Sequence, residues 1–180
     1  MPDAEHPTRV ALLDVSLALA DERPLAALPV DEIARAAGVA KGTFYVHFAD
    51  RGEFLGALHD WFRARLAERV AEAVDGVPAG SPRLRVGCEA YLDACRDAAG
   101  VKAMFSSARG EAVVDERIAA SDAAWARACA VDLEHMGDRR APDTARLLVA
   151  ALAEVVRVEV RDGPQPALRE AFRALFGLDG

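Results

Sequence analysis

Glycine and proline residues divide this chain into segments, and the apolar spacing inside those segments constrains the fold more than any other feature. In the first segment one helix face is formed at three- and four-residue spacing by Leu12, Leu13, Ser16, Leu19 and Ala20. Longer segments after Asp50 and Ser81 repeat the pattern. No segment shows the sustained alternation of apolar and polar residues that is typical of a strand. We therefore predict an all-α fold.

The breaks predict about nine helices. Asp50 and Glu53 have the spacing of a capping box at the start of a long helix. Gly137 is predicted to end another long helix, since glycine adopts the left-handed conformation of a C-cap easily. The predicted helices begin near Thr8, Val30, Lys41, Asp50, Ser81, Met104, Gly110, Pro142 and Pro166.

Composition limits where the chain acts. Its 180 residues, 52% of them hydrophobic, supply one sizeable core or a small module fused to a larger one. The longest apolar run, from Leu147 to Ala153, is far shorter than the ~20 residues of a membrane span. The first residues are polar and acidic, unlike a secretory signal. We expect a cytoplasmic protein without a membrane partner.

Few residues are arranged for catalysis or for binding a metal. Cys88, Cys95 and Cys129 belong to no close Cys/His cluster, and we expect reduced thiols and no cofactor. His59 and Asp60 are adjacent, so on a helix they point about 100° apart and cannot act as a dyad. No nucleophile–base pair or phosphate loop is readable, which makes an enzyme the least favoured class.

The stretch from Val30 to Phe48 predicts two short crossed helices. Ala34 is small enough for a close helix crossing, and Gly38, four residues later, can take a left-handed turn at no steric cost. The wedge between the two helices is then filled by Ile33, Ala37, Val39 and Phe44. This pattern is typical of a helix-turn-helix, with the motif at about residues 29–48.

The outward residues of the second short helix are candidates for contact with DNA. Lys41 and Thr43 stand near its N-terminus, where the helix dipole favours phosphate. Gly42 allows a close approach of the backbone, and Tyr45 can reach a phosphate or a base edge. His47 is open to two interpretations, a DNA contact or packing beside Phe48. The candidate DNA-binding residues are Lys41, Gly42, Thr43, Tyr45, His47 and Arg51.

Charge argues against DNA binding. The chain has a net charge of −7, and residues 1–60 hold five Arg or Lys against ten Asp or Glu. DNA affinity depends on neutralising phosphates, so an acidic module is at a disadvantage. A helical module that binds a ligand or a protein without reading DNA is therefore the alternative function.

The helix-turn-helix region resembles the tetracycline-repressor (TetR) family over about residues 8–62. That family carries Ile-Ala, Ala-Gly-Val, Lys-Gly-Thr, aromatic-Tyr and His-Phe groups at the spacings found here. The resemblance implies a homodimer that represses transcription at a near-palindromic double-stranded operator until a small-molecule effector releases it. Ala40 stands where the family usually has Ser or Thr, and Pro29-Val30 replaces another usual hydroxyl residue, so we expect weaker docking.

The resemblance assigns residues 1–50 to DNA binding and 51–180 to a helical ligand-binding and dimerisation domain. Five residues of the second domain are either ordinary core or the lining of a ligand cavity: Tyr91, Met104, Phe105, Trp125 and Cys129. The last two helices carry broad apolar stripes, more than one small body needs to cover itself. From those stripes we predict a dimer interface that contains Leu148, Leu152, Val155, Leu168, Phe172 and Leu175.

Overall fold

The computed structural model describes residues 6–22, 29–99, 101 and 112–179. These ranges contain eight α-helices and no strand, which confirms the all-α prediction. The ninth predicted helix, with Met104 and Phe105, lies outside the described residues. The helices are α1 (Pro7–Glu22), α2 (Val30–Ala36), α3 (Lys41–His47), α4 (Arg51–Val74), α5 (Ser81–Asp97), α6 (Ala112–His135), α7 (Ala141–Asp162) and α8 (Pro166–Leu175).

Contacts divide the chain into two compact units. The first comprises Met1–Ala64 and Ala98–Arg117, and the second comprises Arg65–Asp97 and Ile118–Gly180. Helices α4 and α6 each begin in the first unit and end in the second. Within the described ranges, no helix combines the length and apolar character that a bilayer crossing requires.

The turn between α2 and α3 has the predicted geometry. Gly38 has a φ of +72°, and the Val39 amide donates to the Ala34 carbonyl at 2.9 Å. A residue with a side chain rarely adopts that φ, which explains the glycine. Ile33 and Ala34 are buried, so the two helices meet at their apolar faces. The predicted helix-turn-helix is therefore present.

An aromatic cluster holds α3 in place inside the first unit. The Phe44 ring centroid lies 5.1 Å from that of Phe48 and 5.0 Å from that of Phe54. All three rings are fully buried. From α1, the Arg9 guanidinium lies 4.4 Å above the Phe48 ring. Because its inner face is fixed by these rings, α3 presents a defined outer face.

The predicted capping box at the start of α4 is also confirmed. The Glu53 amide donates to Asp50 Oδ1 at 2.8 Å, and the Ala49 amide donates to Glu53 Oε2 at 2.7 Å. The first bond satisfies an amide that a helix start leaves without a partner, and the second ties the residue before the cap to the first turn. They fix where the chain leaves α3 and enters α4.

In the second unit, a buried guanidinium joins three helices. Arg169 of α8 donates to both carboxylate oxygens of Glu159 on α7, at 2.7 and 2.6 Å. It also donates to Asp93 and Glu89 of α5, at 2.7 and 3.0 Å. Glu159 and Arg169 are both buried. The hydrogen bonds from Arg169 lower the pKa of the Glu159 carboxyl, which keeps the pair ionised.

Candidate nucleic-acid interface and ligand cavity

The outer face of α3 presents small and polar groups to solvent. Lys41, Gly42 and Tyr45 are exposed, and Thr43 is half-buried. A methyl group built on Gly42 would meet no atom within 4 Å, so the backbone there is open to an approaching surface. Arg51, the first residue of α4, is also exposed. Five of the six predicted DNA-binding residues therefore lie at least partly on the surface.

Lys41 is already paired with a carboxylate. Its Nζ lies 3.5 Å from Asp31 Oδ1, and the two side chains are 58% and 62% exposed. An exposed pair at this distance is worth little, about 0–1 kcal/mol, because water screens both charges. A phosphate can replace Asp31 as the partner of Lys41 at small cost.

His47 is the exception among the predicted contacts. Its side chain is only 8% exposed and its ring centroid lies 4.8 Å from that of His6. Its carbonyl accepts a 2.7 Å hydrogen bond from Arg9. The packing interpretation of His47 fits these contacts, and a DNA contact by its side chain does not. We therefore remove His47 from the candidate interface.

Val46 is a residue that the sequence analysis missed. Its side chain is 78% exposed, the most exposed of the large hydrophobic residues in the described ranges. The exposure of Val46 could have been predicted from its position in the sequence. Val46 follows the buried Phe44 by two positions, or about 200° around the helix, so it had to point away from the core. An apolar side chain on this face is suited to contact a thymine methyl group.

Helix α3 has no side-chain cap. Its N-cap residue, Ala40, has an extended backbone and makes no capping hydrogen bond, as its side chain dictates. Pro29 occupies the same position before α2, also without a cap. Both short helices therefore begin without help from a side-chain cap.

The second unit contains a cavity of about 270 Å³. Helices α4 to α7 all contribute to its wall, which includes three of the five predicted ligand-pocket residues, Tyr91, Trp125 and Cys129. The rings of Tyr91 and Trp125 meet edge to face, with centroids 5.5 Å apart. Met104 and Phe105 lie outside the described residues. The remaining wall residues are Val70, Val74, Arg83, Leu84, Gly87, Cys88, Ala128, Val131, Asp132, Val149 and Leu152.

An ion pair is the charged part of that wall. Arg83 Nε donates to Asp132 Oδ1 at 2.9 Å and to Oδ2 at 3.1 Å. The Gly80 amide also donates to Asp132 Oδ1, at 2.8 Å. The carboxylate is thus neutralised by groups of the protein itself.

The two cysteine side chains in the wall are uncharged at neutral pH. Burial raises the pKa of Cys129 to about 11 and raises the pKa of Cys88 above its ordinary range. A thiol of raised pKa is a weak nucleophile and a poor metal ligand, because the thiolate is the reactive form. These side chains act as polarisable apolar surface.

Four of the six residues of the predicted dimer interface are covered by their own chain, while the interface as such stays a prediction. Leu148, Leu152, Val155 and Phe172 are buried within this one chain, where α7 packs on α5 and α8. A side chain that its own protomer covers has no surface left for a second copy. Leu168 is half-buried, whereas Leu175 on α8 and Leu147 on α7 are strongly exposed.

Residues 12–58 match the family model described as bacterial regulatory proteins, tetR family. No curated protein matches the chain in sequence. Solved structures share the fold over nearly the whole chain. One is a putative TetR-family transcriptional regulator from Rhodococcus sp., with 20% identity, 96% of this chain and 97% of that chain covered, and a TM-score of 0.78. A transcriptional regulator from Rhodococcus sp. Rha1 has 21% identity, 94% of each chain covered and a TM-score of 0.81.

A third structure is the fatty acid degradation regulator FadR from Bacillus halodurans, with 16% identity, 97% of this chain and 95% of that chain covered, and a TM-score of 0.73. At these identities the likeness establishes the fold. The residues that the family model covers include the whole helix-turn-helix. Residues 12–58 are therefore similar to the N-terminal region of the tetR family of bacterial regulatory proteins, and the whole chain shares the fold of the solved regulators.

Proposed function

We propose that the chain acts in the cytoplasm as a homodimeric repressor that binds a near-palindromic operator and leaves it when a small molecule occupies the cavity. The observation that carries the proposal is the outer face of α3. Lys41, Gly42, Tyr45 and Val46 are exposed there, while Phe44 anchors the opposite face. This is the arrangement of a helix that enters a major groove with one side and is held by its own domain with the other.

Each exposed side chain has a distinct role on DNA. Lys41 and Arg51 neutralise phosphates, which supplies affinity without reading sequence. Tyr45 and Thr43 donate hydrogen bonds to phosphates or base edges. Val46 contacts a thymine methyl group, and this apolar contact favours an A·T pair at its position.

Dimerisation uses the apolar residues that the protomer leaves exposed. Leu147 on α7 and Leu175 on α8 are both more than half exposed. Together with the half-buried Leu168 they form the revised interface. We expect Leu175→Glu to shift sedimentation from dimer toward monomer at micromolar concentration. A wild-type protein that sediments as a monomer would contradict the proposal.

Helix α4 is the proposed link between ligand and DNA. Its first turn carries Phe54, which packs on Phe44 of α3, and its last turns supply Val70 and Val74 to the cavity wall. A ligand that displaces the end of α4 favours a conformation in which the two recognition helices no longer match successive major grooves, ~34 Å apart.

Helix α6 provides a second link. Near its start, Arg117 donates to Asp60 of α4 and lies over Gly56 of α4, where a larger residue would force the guanidinium to shift. Farther along, α6 supplies Trp125 to the cavity wall. We expect Arg117→Met to reduce the effect of a ligand on DNA affinity while leaving ligand affinity unchanged.

Fluorescence anisotropy with duplexes from the DNA flanking the gene tests the proposal. We expect tighter binding to one such duplex than to a shuffled duplex of equal composition, and we expect Tyr45→Ala to abolish the difference. Equal affinity for both duplexes at low salt would contradict it. The alternative, a helical module that does not read DNA, is favoured by the acidic charge of residues 1–60 and predicts that equal affinity.

A further inference from the structure

The cavity in the second unit is small for a regulatory ligand. An engineered cavity of ~150 Å³ lined by aliphatic and aromatic side chains binds benzene. In proportion, about 270 Å³ accommodates a molecule of roughly eleven non-hydrogen atoms. This size corresponds to one aromatic ring with a short arm, or to two fused rings.

Most of the cavity wall is apolar. Val70 and Val74 come from α4, Leu84 from α5, and Val149 and Leu152 from α7. Tyr91 and Trp125 add two aromatic rings, which stack or pack edge to face with a further ring. The wall therefore favours the binding of ligands that bury apolar and aromatic surface.

The one ion pair in the wall makes the cavity electrically neutral. Asp132 is held by both Arg83 and the Gly80 amide, at distances between 2.8 and 3.1 Å. An anionic ligand must displace Asp132 from Arg83, and a cationic ligand must displace Arg83 from Asp132. Either exchange leaves a charge with no partner in an apolar wall, which is costly. A charged ligand thus gives up hydration wherever the wall covers it and gains no new counter-charge in return.

From these observations we propose that the effector is an uncharged, mainly apolar molecule of about eleven non-hydrogen atoms that contains an aromatic ring. That this molecule regulates DNA binding rests on the proposed function. The preference for such a molecule follows from the cavity alone. One uncharged polar atom of the ligand is accommodated beside the Arg83–Asp132 pair, because it needs no counter-charge and therefore displaces neither partner.

Two matched pairs of probes test the charge preference. trans-Cinnamamide and trans-cinnamate have the same number of non-hydrogen atoms and differ in charge, and 2-naphthamide and 2-naphthoate form a second such pair. By equilibrium dialysis at pH 7.5 with the full-length protein, we expect each amide to bind at least tenfold more tightly than its carboxylate. Equal or tighter binding of the carboxylates, or no binding of either amide, would overturn the proposal.

Asp132→Asn tests the cause of the preference. Without the carboxylate, Arg83 is a cation without a counter-charge, so we expect the ratio of amide to carboxylate affinity to fall at least tenfold. Asp143→Asn, an exposed change of equal charge on α7 outside the cavity wall, should leave the ratio unchanged. Equal ratios of amide to carboxylate affinity in the wild type and in Asp132→Asn would refute the neutralised pair as the cause of the preference. The measurements on wild-type protein do not depend on whether this variant folds.

A DNA titration separates this proposal from the proposed function. If the amides bind and DNA affinity does not change, the ligand class stands and the repressor mechanism fails. If the carboxylates bind more tightly and release DNA, the mechanism stands and the ligand class fails.

Discussion

Lys41 with Asp31 in the first unit and Arg169 with Glu159 in the second form ion pairs in opposite surroundings. The first two side chains are 58% and 62% exposed and their charged atoms lie 3.5 Å apart. The second two are 11% and 2% exposed and are joined by two hydrogen bonds of 2.7 and 2.6 Å. Water and salt weaken the exposed pair, whereas the buried pair cannot exchange its partner without leaving a charge in the interior.

This difference separates groups that are available for binding from groups that hold the fold. An exposed lysine that gains little from its carboxylate can bind a phosphate instead. A buried arginine bound to three carboxylates of two other helices fixes those helices relative to α8. A binding surface and a structural cluster can thus be distinguished by the free energy that each cation loses when it exchanges its carboxylate partner.

The largest expected effect is on the buried pair. Arg169→Met leaves Glu159 ionised and unpaired, so we expect the free energy of unfolding to fall by about 3–5 kcal/mol. Urea unfolding followed by circular dichroism measures this. Arg157→Met is the matched control, because Arg157 pairs with Glu154 on the surface of α7, and we expect the free energy of unfolding to stay nearly unchanged. Similar losses of unfolding free energy in both variants would refute the contrast between the buried and the exposed ion pair.

The buried pair also predicts a pH dependence. The pKa of Glu159 is lowered from its ordinary value of 4.5, mainly by the hydrogen bonds from Arg169. The unfolded chain therefore takes up the proton first as the pH falls, and stability that is complete above about 4.5 is lost progressively below it. Unfolding free energies of wild type and Glu159→Gln between pH 7 and 3 should converge as the pH falls. A constant difference would contradict the prediction.

A smaller effect is expected for the exposed lysine. Lys41→Ala should weaken DNA binding and lower the slope of log affinity against log salt by about one unit, since one phosphate contact is lost. Anisotropy titrations at several salt concentrations measure the slope. Arg139→Ala is the control: it removes an exposed cation between α6 and α7 and should leave the salt slope unchanged. An unaltered slope in Lys41→Ala would remove Lys41 from the interface.

The smallest effect is expected for Asp31, the ion-pair partner of Lys41. Asp31→Asn frees Lys41 for phosphate, and because an exposed pair is worth ~0.2–1 kcal/mol we expect DNA affinity to rise only a few-fold at low salt. Asp143→Asn makes the same change in net charge in the second unit and controls for long-range attraction. If both variants raise affinity equally, the effect comes from net charge and not from the Lys41–Asp31 contact.

Features that depend on neighbours in sequence were predictable. The φ of Gly38, the burial of Phe44 and the capping bonds between Asp50 and Glu53 all follow from spacings of two to six residues. Such signals suffice because the turn and the helix start are built from one short stretch. The helix-turn-helix itself could therefore be predicted from the sequence, whereas the DNA contacts on it stay predictions; the exposure of Val46 was overlooked, and of the two interpretations of His47 the structure favours packing.

Features that depend on distant partners were not predictable. The periodicity of α7 shows that Leu148 and Leu152 share an apolar face, but it cannot show whether α5 or a second copy covers that face. Arg169 meets Glu89 across 80 positions of sequence, and no local pattern marks that contact. The cavity likewise depends on four helices that the chain brings together only when it folds.

The most direct test of the central claim is selection from a pool of randomised duplexes by the purified protein, followed by sequencing of the bound fraction. If the exposed face of α3 reads DNA in a homodimer, one near-palindromic sequence should be enriched, with half-site centres one helical turn or a multiple of it apart, about 34–36 Å per turn. Tyr45→Ala protein should not enrich it. A wild-type pool that remains random after repeated rounds at low salt would contradict the account.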